Sequence, residues 1–194
     1  MELEPTDAQV PATRAQLLLC MNLQKEYLAA GRRHTVAGTD DVLTACAAII
    51  DGWRGRRWPV VHLKRIARAA WFDPESSMSD WLDAFRPRPG ELVFAHPLPS
   101  AYSSARFAAY MSEIGSALRI VTIGFSLDES ILATAIDGFH RGHNLRVAGD
   151  AIASRQSEYC ELELYRRVLL DVISDYAAIE PLDRALNPEA HIGR

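Results

Sequence analysis

RIVTIGFSLDESILATAIDGFHRGHNLRVAG, Arg119–Gly149, carries a complete strand–helix–strand unit. Arg119–Phe125 (RIVTIGF) is a short, mostly apolar run that reads as a strand ending near Gly124. Asp128 stands where it would cap a helix running from Glu129 to about His140, and Gly142 stops that helix. Asn144–Gly149 then reads as the next strand. Two strands joined through a helix lie parallel, so this stretch alone argues for an α/β fold.

The same rhythm extends in both directions. Gln16–Leu23 (QLLLCMNL) reads as a fully buried first strand. Asp40 and Asp41 offer an N-cap to a helix over Val42–Trp53, in which Val42, Ala45, Ile49 and Trp53 recur at helical spacing. Pro59–Lys64 and Glu91–His96 are the second and third strands, and Ala101–Leu118 is a helix. Beyond Gly149 come a long helix over Ser157–Ser174 and a short sixth strand over Ala177–Glu180. Open sheets of this kind bind ligands beyond the carboxyl ends of their strands. That directs attention to Asn22–Tyr27, His96–Tyr102 and Gly124–Ser130. The connection from Ile66 to Gly90, with Trp71, Phe72, Trp81, Phe85 and three prolines, is too long for a plain turn. It reads either as a partly helical flap closing over the strand ends or as aromatics that complete the core.

Composition narrows the function. With 48% hydrophobic and 24% charged residues, the chain of 194 residues suits one domain with a substantial core, about 16–180, and short tails. A net charge of −4 gives no reason to expect nucleic acid or an anionic membrane as partner. No apolar run approaches the roughly 18 residues of a membrane span, and the acidic start lacks the features of a signal peptide. Cys20, Cys46 and Cys160 are odd in number, lack metal-ligand spacing and sit in apolar stretches, which fits a reducing, cytoplasmic setting. No cofactor or metal site is expected. His140-x-x-His143 falls where it would satisfy helix-end carbonyls, and His62 lies inside the second strand. Arg32–Arg33 and Arg54–Arg57 read as solvated surface. Lys64, Arg65 and Arg68 leave the second strand on the ligand side, where they could hold a carboxylate.

Three segments together resemble the isochorismatase-like family of cysteine hydrolases. LLLCMNLQKEY, Leu17–Tyr27, is similar to the family strand that ends in an Asp-Met-Gln-Asn-Asp-Phe run. VFAHP, Val93–Pro97, is similar to the strand that delivers the family lysine. Val121–Ser154 resembles the Gly-Val-x-Thr-x-x-Cys-Val-x-x-Thr-Ala block together with the Gly-Tyr-x-Val and Asp-Ala pairs beyond it. Its Gly124, Thr134, Ala135, Gly142, Asp150 and Ala151 fall at family positions. The resemblance implies a doubly wound, three-layer α/β/α fold. Its six-stranded, mainly parallel sheet would be ordered 3-2-1-4-5-6, with helices on both faces. It also implies a homo-oligomer, most simply a dimer.

Carried over position by position, the family's catalytic aspartate, lysine and cysteine become Asn22, His96 and Ser130. The resemblance further implies a cis peptide at Phe125–Ser126 and an oxyanion hole from the N–H groups of Ser126 and Ser130. Tyr27 would wall the pocket, Tyr102 lies near a second such aromatic, and Trp71 of the flap would join them. Asn22 is no general base, and a serine needs a neighbouring base before it can attack. The family amidase chemistry therefore cannot run as usual. Two readings remain. One is a degenerate member that keeps the pocket and binds a small carbonyl or carboxylate compound, or a protein partner, without efficient turnover. The other is an active hydrolase of an ester, amide or related bond, with Ser130 as nucleophile and His96 as base. A third reading makes His96 a hydrogen-bonded remnant and Ser130 a helix cap, in a pocket filled by the protein's own side chains.

Overall fold

The computed structural model describes residues 16–67, 71–115 and 118–187. Six strands form one sheet: β1 Gln16–Met21, β2 Val60–Arg65, β3 Leu92–His96, β4 Arg119–Phe125, β5 Asn144–Ala153 and β6 Ala178–Glu180. Their order is β3-β2-β1-β4-β5-β6, and every neighbouring pair is parallel. Five helices accompany them: α1 Thr39–Gly55, α2 Ala105–Ile114, α3 Leu132–His140, α4 Leu162–Ser174 and α5 Leu182–Leu186.

The period of two in β1 divides the core. Leu18 and Cys20 face a cluster with Ile49 and Trp53 of α1, and Ala185 of α5 joins them. Leu17, Leu19 and Met21 face the other layer, where Phe107 and Met111 of α2, Ala135 of α3 and Ile173 of α4 pack. All six residues of β1 are buried, which is why the sequence shows an unbroken apolar run there. The Trp53 indole N–H donates to the Ala185 carbonyl at 3.1 Å and so ties α5 to α1.

Several element boundaries differ from expectation, each for a local reason. Gly38, with φ of 63°, occupies the N-cap position of α1, and Asp40 and Asp41 lie in its first turn, where their charge favours the helix N-terminus. The expected helix from Ala101 is broken. A 3-10 turn over Ala101–Ser103 precedes α2, whose N-cap Ser104 accepts from the Phe107 N–H. Asp128 does not cap the helix after β4. Its carboxylate takes the Arg155 guanidinium instead, and a single π-type turn over Leu127–Ile131 leads into α3. The long connection holds only two 3-10 turns among its described residues, Ser77–Ser79 and Asp83–Phe85. Its Phe72 and Phe85 are buried in the α1-side core.

At the carboxyl end of the sheet, β4 passes very close to β1. Gly124 has φ of 107°, and a Cβ there would lie 2.1 Å from the Met21 carbonyl oxygen. Gly124→Ala is therefore expected to cost more than about 3 kcal/mol or to prevent folding. Gly142→Ala, where φ is 73° but nothing lies within 4 Å, should cost only the backbone strain of about 1 kcal/mol. Urea unfolding of both variants checks the difference. Equal costs would mean that the close approach to Met21 is not what requires glycine.

Candidate functional site

Asn22 immediately follows β1. Its backbone N–H donates to the Leu63 carbonyl at 2.8 Å, and its φ of 50° turns the chain out of the sheet. Asparagine tolerates that left-handed geometry better than most residues. The side chain stays beneath the strand ends. Its Nδ2 donates to the Phe125 carbonyl at 3.1 Å and to the Tyr27 hydroxyl at 3.2 Å. His96, the last residue of β3, reaches past the end of β2 to place Nε2 2.8 Å from Asn22 Oδ1. Its Nδ1 lies 2.7 Å from the Leu98 carbonyl. Asn22, His96 and Ser130 are all fully buried. The Phe125–Ser126 peptide bond is cis.

The histidine contacts constrain its proton. A carbonyl oxygen can only accept, so the Leu98 contact requires Nδ1–H. Burial pushes His96 down to about 4, opposed by the Leu98 carbonyl, so the ring is neutral at pH 7 and Nε2 offers a lone pair. Which end of the Asn22 amide meets Nε2 then depends on that proton: the oxygen for an imidazolium, the NH2 for a neutral ring. With the NH2 turned to Nε2, the amide oxygen accepts from Tyr27 but lies beside the Phe125 carbonyl. At neutral pH the network is one hydrogen bond short.

Ser130 sits in the π-type turn between β4 and α3, and its Oγ closes no regular hydrogen bond. The Tyr27 phenol interacts with it, and that phenol is itself raised by burial and by the Glu129 charge. Tyr27 packs between Phe72 and Phe125, at ring-centroid distances of 5.2 and 5.7 Å. The structure thus links His96 to Asn22, Asn22 to Tyr27 and Tyr27 to Ser130. Neither ring nitrogen of His96 is bonded to Ser130, since both are engaged elsewhere.

The remaining expected residues divide. Trp71 belongs to this end of the sheet, packed against His34 with Arg32 over its ring at 4.7 Å. Tyr102 does not join Asn22 or His96. Its hydroxyl lies 2.6 Å from His143 Nδ1, and its ring stacks on that imidazole, so His143 serves this pair rather than a helix-end carbonyl. His62 lies 2.8 Å from Glu91, which also takes two bonds from Arg54, so Arg54 is not simply solvated. Burial would raise the Glu91 carboxyl, but Arg54, the Arg88 N–H and His62 hold it at about 2. Lys64 lies 5.8 Å from the Trp81 ring, and Arg68 lies outside the described residues. Among the described residues no group of three or more His, Cys, Asp or Glu is arranged to hold a metal ion.

A second set of residues surrounds the first and is harder to read from sequence. Gln24 is fully buried. Its Oε1 accepts the Arg65 N–H at 2.8 Å, while Nε2 donates to the carbonyls of Arg65 at 3.0 Å and Ser79 at 2.9 Å. One amide therefore fastens the exit of β1 to the exit of β2 and to the long connection. The Arg65 guanidinium, held there, lies 5.8 Å from the Phe72 ring centroid. Its Nη2 is 3.9 Å from Glu129 Oε1, and Glu129 Oε2 is 3.4 Å from His34 Nδ1 without the alignment of a regular hydrogen bond. The His34 contact and the Arg65 charge outweigh burial and hold the Glu129 carboxyl below its ordinary range. Arg65 and Glu129 are also the charges whose fields reach His96. His34 gives no signal in the sequence. Glu129 is legible there only as a capping residue.

Residues 16–174 match the family model for the Isochorismatase domain. The chain belongs to the isochorismatase family. Among curated relatives, this isochorismatase-family chain is similar to a secreted isochorismatase effector of Verticillium dahliae, 22% identical over 166 residues, spanning 84% of this chain and 86% of that protein. Among solved structures it is similar to an isochorismatase from Pseudomonas putida KT2440, with TM-score 0.78 and 21% identity over 89% of this chain and 90% of that one. It is also similar to a cysteine hydrolase from Pseudomonas syringae, with TM-score 0.79 and 13% identity over 92% and 93% of the two chains. At these identities the structural likeness speaks for the fold.

The depressed His96 pKa has a consequence for stability. An unfolded histidine titrates near 6.5 and the folded one near 4, so below pH 6.5 the unfolded state binds the extra proton. The His96 contribution is complete above pH 6.5 and is lost progressively as pH falls toward 4, by about 3 kcal/mol in all. Urea unfolding at pH 7.5 and pH 4.5 should show a smaller pH loss in His96→Gln than in the unsubstituted protein. An equal loss would place the proton elsewhere.

Proposed function

We propose that this isochorismatase-family chain binds a small carbonyl or carboxylate compound at the carboxyl end of its sheet and turns it over poorly, its catalytic positions being Asn22, His96 and Ser130. The observation that carries this is the engagement of His96. Nδ1 faces the Leu98 carbonyl and Nε2 faces Asn22, so neither ring nitrogen is directed at Ser130. A neutral amide at Asn22 supplies no base either. The same contacts count against the rival reading of a Ser130–His96 hydrolase, which needs a direct bond between nucleophile and base.

The position of the polar atoms supports a binding role. Ser126 Oγ is buried without a hydrogen-bond partner at the start of the turn after β4, and Ser130 Oγ has no regular hydrogen bond beyond its contact with the Tyr27 phenol. Folded proteins rarely leave such groups unsatisfied, and a bound carbonyl compound or water would satisfy them.

Two further parts of this proposal concern setting. A cytoplasmic location is supported by three unpaired cysteines, Cys20, Cys46 and Cys160. No helix among the described residues is long and apolar enough to cross a membrane. A homodimer is the assembly that the family resemblance implies. Sedimentation velocity is expected to show a dimer at micromolar concentration, and a monomer across a wide concentration range would refute it.

The decisive test is restoration. Turnover of small amides and esters by the unsubstituted protein is expected to be very low. Ser130→Cys alone should help little, because the thiol would still lack a proton acceptor at Asn22. Asn22→Asp, His96→Lys and Ser130→Cys combined should raise turnover by more than the product of the single effects, as for residues that act as a unit. If instead the unsubstituted protein hydrolyses such a bond at an enzymatic rate, shows an acyl mass adduct on Ser130, and loses both with Ser130→Ala and His96→Ala, the Ser–His reading replaces this one.

A further inference from the structure

We infer that Arg65 is the anchor for a carboxylate on the ligand, and that this protein selects a monoanionic acid over its neutral amide. The inference rests on the binding role proposed above and specifies the charge of the compound bound. Arg65 ends β2, at the carboxyl end of the sheet where Asn22 and His96 also emerge, and it is the direct register partner of His96. The residue is only 8% exposed. Its Nε and Nη1 are shut off from solvent and have no hydrogen-bond partner, and Nη2 lies 3.9 Å from the nearest carboxylate oxygen, beyond hydrogen-bond reach.

A guanidinium carries five N–H donors and stays charged at any ordinary pH. Burying it without one regular hydrogen bond is among the costlier arrangements a fold can hold. Gln24 clamps the Arg65 backbone N–H and carbonyl, which fixes where the side chain leaves the strand. Packing does not explain a charge there either, since the contact with Phe72 would be made as well by a methionine. What the arrangement suits is a planar oxyanion that accepts from two guanidinium N–H groups at once. Glu129 contributes by its loose contact. It partly offsets the Arg65 charge, yet at 3.9 Å it does not occupy the donors. The buried Phe72 ring beside it, with Tyr27 and then Phe125 packed in turn behind, favours an acid with a flat apolar body.

Benzoate and benzamide differ in charge but hardly in shape, and they separate the alternatives by calorimetry on the full chain at pH 7. Benzoate is expected to bind at least tenfold more tightly than benzamide. Arg65→Gln should remove that preference by weakening benzoate at least tenfold while leaving benzamide unchanged. Arg65→Met should melt at the same temperature as the unsubstituted protein or higher, because it relieves an unpaired buried charge. Equal binding of both probes, or benzoate binding indifferent to Arg65→Gln, would overturn the anchor and leave the binding role standing. Binding of neither probe would overturn the binding role and the anchor with it. A melting temperature several degrees lower in Arg65→Met would make Arg65 a structural residue and overturn the anchor.

Discussion

The site depends on how closely β4 approaches β1 at the carboxyl end of the sheet. Gly124 lies against the Met21 carbonyl at a distance that no side chain allows, with a φ that glycine alone adopts freely. The close approach sets the Phe125 carbonyl within reach of Asn22 Nδ2. From Asn22 the arrangement continues to His96 on one side and Tyr27 on the other. Packing of the two core layers fixes the strands, but this backbone contact determines which side chains meet above them.

Gln24 has the complementary task. A buried primary amide can accept and donate at once, and here it satisfies both backbone groups of Arg65 as well as the Ser79 carbonyl. It thereby turns a strand end and a long connection into one rigid edge, reinforced by Leu82 N–H to the Leu23 carbonyl and Lys25 N–H to the Asp80 carbonyl. Rigidity of this kind has a cost. Gln24 fixes the Arg65 backbone, yet the Arg65 Nε and Nη1 atoms stay buried without hydrogen-bond partners. Stability is given up at the same edge where a family member would meet its ligand.

Much of the fold is legible in the sequence because the sheet is buried on both faces. Leu17–Met21 is a continuous apolar run and Ile120–Ile123 is apolar but for the buried Thr122, and the glycine at 124 and the turn residues after it stand in fixed relation to them. The convergence of Asn22 and His96 could be read from motif order, since parallel topology brings those strand ends together. The contacts that stayed hidden have a common physical origin. Asp128 looks like a helix cap in one dimension, yet Arg155 lies close in space and charge wins over capping. His143 looks like a helix-end group until Tyr102 is seen beside it. His34 and Gln24 act through partners far away in the chain, and no local periodicity reports such contacts. The split before α2 escapes the sequence pattern because Ser104 can cap a helix only once the preceding turn has already formed.

The three residues that we assign to the family's catalytic positions also make sense as a set. In a buried site, an aspartate and a lysine hold each other: removing either charge alone strands the other in a medium of low dielectric, at a cost of about 3–5 kcal/mol. Here both positions are neutral at pH 7. Asn22 has no charge to lose, and burial keeps His96 unprotonated down to about pH 4. The two side chains meet at 2.8 Å as neutral groups. A lysine in place of His96 would need a carboxylate opposite it, and a carboxylate in place of Asn22 would need a cation. Ser130 obeys the same logic, because a thiolate would lack the electrostatic support that the other two positions no longer give. The substitutions are thus coupled through burial. On that assignment each neutral residue is tolerable because the others are neutral too.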